Sequence, residues 1–180
     1  MENLPFLLRY NSSVSIYHKV LDFDENTYNL KVSRQKPFGL RSNFKDFKKK
    51  KDKISNIELY RYGENGFVDN SKVLKNQEWI NKFKVIVSKA SPGGDEYPHK
   101  IFSEPLISPP GSICTETYLV VDVFDSLEEC ENLLNYIKTN FFRFFVSLVK
   151  NTQNISQISF SLVPQQDMNE TWNDDKLYKK

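Results

Sequence analysis

The chain has 180 residues, a formal net charge of +2 and ample apolar material for one ordinary core, including 14 Phe, 9 Tyr and 2 Trp. This composition excludes a collagenous, low-complexity or wholly disordered chain. Cys114 and Cys130 stand far apart, without a C-x-x-C pair, which excludes a disulfide framework or a cysteine zinc site; both read as buried, reduced thiols.

In chain order, Val14, Tyr17, Val20 and Leu21 recur at helical spacing across residues 13–23, behind Ser12 or Ser13 as an N-cap. A second short helix is expected from Thr27 to Ser33, before Pro37 ends it, and residues 36–41 (KPFGLR) read as a turn or loop. Strands are expected at Ile57–Tyr62, Lys84–Ser88, Thr117–Phe124 and Ile158–Val163, each short and rich in β-branched or aromatic residues, with a helical turn at Gln77–Phe83 around Trp79. The Pro- and Gly-rich stretch from Ala90 to Ile113 reads as a long connection of the kind that carries function.

The clearest element is a helix predicted from Leu127 to about Val149. Ser126-Leu127-Glu128-Glu129 is a capping box, acids fill the first turn, and Lys150 sits at the negative end. Leu127, Cys130, Leu134, Ile137, Phe141, Phe144 or Phe145, and Leu148 keep an apolar stripe. The expected fold is a single α+β domain over residues 1–180, an irregular twisted β-sheet packed against this long C-terminal helix. Neither a secretory signal at residues 1–5 nor a stretch approaching a membrane span is present, so a cytoplasmic location without membrane contact is expected.

Catalytic constellations are sparse. Ser91-Pro92-Gly93-Gly94-Asp95 is too short for a phosphate loop and lacks the lysine–hydroxyl pair. His18 and His99 leave little material for a triad, and each reads as a surface or locally bonded histidine. Pro109-Pro110 is preceded by Ser108 and followed by Gly111, so the Asn/Asp-Pro-Pro-Tyr/Phe tetrapeptide that holds a flipped adenine is missing. Asp95, Glu96 and Lys100 form the one loop grouping of nuclease type, and a small metal-dependent nuclease built on them is the rival reading.

Binding chemistry is better represented. Between Lys31 and Lys53 lie ten cations against two acids, Asp46 and Asp52; this local charge of +8 leaves −6 for the rest of the chain. Such an edge suits a polyanion. Its Lys and Arg can neutralise phosphates, and Arg, Gln and Asn can read purine edges. Lys48–Lys51 can equally be a solvated charge run, or the contact of a protein-interaction module with an acidic partner. A second polar cluster, Lys150-Asn151-Thr152-Gln153-Asn154, follows the long helix.

Four segments, SRQKPFGLRSNF (33–44), CTETYLVVDVFDS (114–126), FFRFFVSLVKNTQ (141–153) and FSLVPQQDMNETWNDDKLY (160–178), resemble the C-terminal specificity domain of TaqI-like adenine-specific DNA methyltransferases, above all the bifunctional Type IIG restriction-modification enzymes. The resemblance spans nearly the whole chain. It implies an irregular α+β fold like the recognition domains of Type I specificity subunits, and a role in gripping duplex DNA and selecting its sequence. It marks Lys36, Pro37, Phe38, Gly39 and Arg41, then Thr115, Glu116 and Thr117, then Lys150, Asn151, Thr152 and Gln153. The Thr115–Thr117 match leads into a core strand and reads as structural. The DNA-contacting residues expected are Arg34, Lys36, Arg41, Asn43, Lys45, Lys48, Lys49, Lys50, Lys150, Asn151, Thr152 and Gln153. Catalytic and metal-binding residues are expected to be absent, as is any cofactor in this chain. S-adenosylmethionine, and Mg where a nuclease domain exists, belong to a parent enzyme whose methyltransferase domain is joined in cis or as a separate subunit. Family members run on past the Leu-Tyr-Lys-Lys segment into a closing helix, whereas this chain stops at Lys180, which implies an excised fragment or a split gene product.

Overall fold

A computed structural model describes residues 15, 26–90, 101, 103–150 and 152–179. Apart from Ser15, the helix expected at 13–23 lies outside the described residues, as do His18, His99 and the grouping of Asp95, Glu96 and Lys100. The fold is α+β. Its six described strands are β1 (Ser55–Tyr60), β2 (Gly66–Asp69), β3 (Phe83–Ser88), β4 (Leu106–Ser108), β5 (Ser112–Cys114) and β6 (Tyr118–Phe124). Instead of one sheet they form two, ordered β2-β1-β5 and β4-β3-β6. β1 pairs antiparallel with β2 and parallel with β5, while β3 is antiparallel to both of its neighbours.

The β4-β3-β6 sheet is the middle layer. Val85, Val87, Leu119 and Val121 join one core with the helices, whereas Ile86 and Val120 join a second core with Ile57, Leu59, Ile113 and Phe38. Adjacent strand residues point to opposite faces, so burial on both faces requires consecutive apolar residues, and β3 and β6 supply Val-Ile-Val and Leu-Val-Val. A bulge at Val121 lets Val85 face Asp122 and Ile86 face Val120. Cys114 and Cys130 are unpaired and buried, and burial pushes both thiols up to about 12, keeping them protonated and inert.

The predicted long helix is two. α1 spans Leu127–Lys138 and α2 spans Asn140–Val149, separated by Thr139 in an extended conformation (φ −64°, ψ 151°). The capping box is present: Glu129 N–H donates to Ser126 Oγ, and the Ser126 N–H donates to the Glu129 carboxylate. The break is built from specific bonds. Thr139 Oγ1 accepts from Phe142 N–H (3.1 Å) while donating to Tyr136 O (2.7 Å). The Asp174 carboxylate accepts from Asn140 N–H (3.1 Å) and Phe141 N–H (3.0 Å). Asp174 begins α3 (Asp174–Lys179), so the last helix caps the one before it. Asp174→Ala should therefore cost about 1 kcal/mol, within the range of a lost N-cap, read as a lower urea midpoint at unchanged slope. A change within error would mean that Thr139 caps α2 alone.

Two other expectations need correction. Ile158–Val163 is not a strand: Gln157–Phe160 is a 3-10 turn, because the Ser156 N–H donates to Ser159 Oγ and the Ser159 N–H to Ser156 O, closing the backbone locally. The helix expected at Thr27–Ser33 shrinks to a 3-10 turn, Tyr28–Leu30, since Tyr28 N–H goes to Val163 O and Ser33 N–H to Val120 O. Gln77–Trp79 is the expected helical turn, also 3-10. Among the described residues no helix is long and apolar enough to cross a membrane.

One buried cation was not foreseen. Lys84, on β3, is fully buried, and its Nζ donates to the backbone carbonyls of Trp79 (3.0 Å), Ile80 (3.3 Å), Lys82 (2.6 Å) and Pro109 (3.3 Å). These bonds tie the loop after β4 to the turn before β3.

Candidate nucleic-acid interface

The first motif segment is laid along the second. Ser33 N–H donates to Val120 O (2.8 Å), Val120 N–H to Ser33 Oγ (3.0 Å) and Glu116 N–H to Leu40 O (2.9 Å). Ser42 N–H then donates to Glu116 Oε1 (3.1 Å). Between these anchors the chain turns. Gly39 N–H donates to Lys36 O (3.0 Å), with Gly39 at φ 86° and Lys36 itself at φ 57°. A Cβ on Gly39 would lie 2.7 Å from Leu74 Cβ, so glycine is required for both the angle and the space. Phe38 is fully buried and meets Trp79 edge-on, 6.2 Å between ring centres. Pro37, Phe38 and Gly39 thus build the turn, and Arg41 leaves it exposed. Lys36 approaches Glu116 at 3.9 Å.

The consequence is a cleft of about 420 Å³ that joins three sequence-distant segments. Ser42 and Asn43 line it from the first motif, Glu116 and Thr117 from the second, and Asn154 from the loop after α2. The walls are closed by the backbone: Lys89 N–H donates to Thr117 O (2.8 Å), and Ile155 N–H to Lys89 O (2.9 Å). Tyr62, 80% exposed just after β1, and Lys89 also line the cleft. Arg34 lines a smaller neighbouring cleft with Gln35, Leu119, Ser156, Gln157 and Ile158. Thr115 is buried and bonded to Thr117 Oγ1 at 2.8 Å, a structural role as expected, whereas Glu116 positions Ser42 and faces the cleft.

The lysine run has a partly fixed course. Lys48 and Phe67 exchange both backbone hydrogen bonds, at 2.8 and 2.7 Å, so the segment lies along the outer edge of β2. Phe47 packs on Gly66, where an added Cβ would come within 2.2 Å of its ring, and the Arg61 guanidinium lies 4.4 Å from the ring centre. Lys48 pairs with Asp52 at 2.5 Å and Lys49 with Glu64 at 2.9 Å. Exposed pairs of this kind contribute little and yield readily to a polyanion. Lys45 and Lys50 are exposed and make no ion pair among the described residues.

The other predicted residues diverge. Lys150 Nζ donates to Ile101 O, and Lys150 does not line the cleft. Asn151 lies outside the described residues. Thr152 Oγ1 donates to Asn154 O (3.0 Å), and Gln153 is exposed beside Asn154. Sequence reasoning missed Tyr62 and Lys89. The run Tyr62-Gly63-Glu64-Asn65-Gly66 is a hairpin signal that would have placed Tyr62 at a loop tip. Among the described residues no group of three or more His, Cys, Asp or Glu could hold a metal. No protein-family model and no curated protein matches the chain.

Proposed function

We propose that the chain is a duplex-DNA target-recognition domain. In this reading it works beside an adenine-specific methyltransferase domain, supplied in cis or as a separate subunit, and S-adenosylmethionine and any Mg belong to that partner. The domain itself does no chemistry and is of the TaqI-like specificity type. The observation that carries the proposal is the convergence of Ser42–Asn43, Glu116–Thr117 and Asn154 on one cleft, with Arg41 exposed at its edge and a cationic strip leading away. Ser42, Asn43, Thr117 and Asn154 offer neutral hydrogen-bonding groups that suit base edges, the Glu116 carboxylate suits a base amino group, and Lys89 and the neighbouring lysines suit phosphates.

The test is a set of anisotropy titrations of the chain with a labelled duplex pool of random sequence across salt concentrations. The expected result is a linear log–log plot falling by about 0.9 per phosphate contact, several contacts in all. A flat plot, or no binding at low salt, would overturn the proposal. Metal-dependent cleavage of the duplex by the chain would overturn it in favour of a nuclease.

A further inference from the structure

At the opposite end of β1 lies a second cleft, of about 520 Å³, lined by Lys51, Asn56, Asn70, Gln77 and Asn81 over a floor that includes Ile57 and Ile80. We propose that it holds the sugar–phosphate backbone of a DNA strand, across one major groove from the backbone beside the Arg41 cleft. This rests on the DNA-binding reading above and adds a second point of grip.

The chemistry of the lining supports a phosphodiester. Four carboxamides and one ammonium face the space, and no carboxylate lines it. The side chains of Asn56, Asn70 and Asn81 make no hydrogen bond among the described residues, and Lys51 makes no ion pair there. Gln77 is held in place by donating Nε2–H to Val73 O (2.8 Å). The neighbouring acids are turned to their own backbones. Asp52 accepts from Lys48, from Ile54 N–H (2.9 Å) and from Ser55 N–H (2.6 Å), while Asp69 accepts from Ser71 N–H (2.7 Å). These bonds hold both carboxyls below the usual carboxylate range, so they stay ionised but engaged. A phosphate offers only acceptors, and the free groups of this cleft are amide and ammonium donors. Gly111 completes the wall; a Cβ there would meet no atom within 4 Å, so this side is open to a close approach.

Geometry sets the groove. β1 runs from the second cleft at Asn56 to Tyr60, two residues before Tyr62 in the first. Five extended residues cover about 17 Å, whereas the major groove is about 12 Å wide. A backbone held in the second cleft would thus leave room for one groove between it and the first cleft. Lys48, bridged to Phe67 on the outer edge of β2, lies level with Glu58 in the middle of β1.

Lys51→Ala and Asn81→Asp test the proposal, titrated with the same duplex pool, and thermal melts confirm folding because both side chains are exposed. Lys51→Ala should flatten the salt slope by about 1. Asn81→Asp should weaken binding at low salt by about tenfold, since a carboxylate then faces a phosphate. Phosphate-ethylation interference on one bound duplex should show two patches on opposite strands, of which Asn81→Asp removes one. Failure of the wild type to bind duplex overturns the recognition reading and this proposal with it. Wild-type binding with both variants unchanged in slope and affinity overturns the second cleft alone.

Discussion

On the recognition role proposed above, Arg41→Ala is expected to cost roughly 1–3 kcal/mol on a cognate duplex and much less on unrelated DNA, as for a lost bidentate base contact. The side chain is exposed, but its backbone is not free. Leu40 O accepts from Glu116 N–H on one side, and Ser42 N–H donates to the Glu116 carboxylate on the other. One residue therefore pins the chain before and after Arg41, and the Lys36–Gly39 turn fixes the direction of approach. The backbone of Arg41 is thus fixed before binding, and its planar guanidinium can form two parallel hydrogen bonds to one base. The measurement is a pair of titrations at one fixed salt concentration, with cognate and scrambled duplex. Equal losses on both would reassign Arg41 to a phosphate. No loss on either would make its place in the motif purely structural. Lys50→Ala, by contrast, should weaken both duplexes alike.

Lys84→Ala is expected to destabilise the fold by about 3–5 kcal/mol, the loss of a buried four-carbon stem compounded by carbonyls left without a donor. Lys84→Met keeps most of the stem and should lose less. The pH dependence separates charge from packing. Burial pushes the Lys84 ammonium down to about 8, whereas an unfolded lysine titrates near 10.4. Between those values the unfolded chain holds a proton that the folded chain has released, so this residue makes stability rise with pH across the window. Urea melts at pH 7.5 and 10 should show that rise in the wild type and not in Lys84→Met. Identical pH profiles for the two would mean that the four carbonyl bonds keep Lys84 charged throughout.

The reading of the sequence succeeded where a local cause determines the structure. The start of α1 is written into Ser126 and Glu129, and β3 and β6 are visible as apolar runs because each is buried on both faces. It failed where the cause lies far away in the chain. The step from Ile137 to Phe141 keeps helical spacing, so nothing nearby shows that Asp174 caps a new helix at Asn140. β4 and β5 have three residues each, too few for a periodicity, and take their strand form from β3 and β1. The site divides in the same way. Arg41 and Asn43 are legible as polar residues around a Pro-Phe-Gly turn. Tyr62 and Lys89 follow strands of two different sheets, β1 and β3, and only the packing of those sheets brings them to one cleft. Lys84 resembles any surface lysine in the sequence; its burial follows from the four carbonyls that the turns aim at it.

The strand order also governs how the domain can form as it leaves the ribosome. β1 and β2 emerge first, but β1's second neighbour, β5, arrives only at residues 112–114, after β3 and β4 of the other sheet. β3 in turn waits for β6, complete at residue 124. Both sheets are thus left open over the same stretch of synthesis, each with an unpaired edge, and the parallel partner of β1 is the costly one to find because its loop is long. The Phe47–Lys48 strip is already made by then and sits on the outer edge of β2, where its lysines guard the early hairpin against pairing with another chain. The cations that suit a polyanion in the finished domain therefore also keep its unfinished form apart from its neighbours.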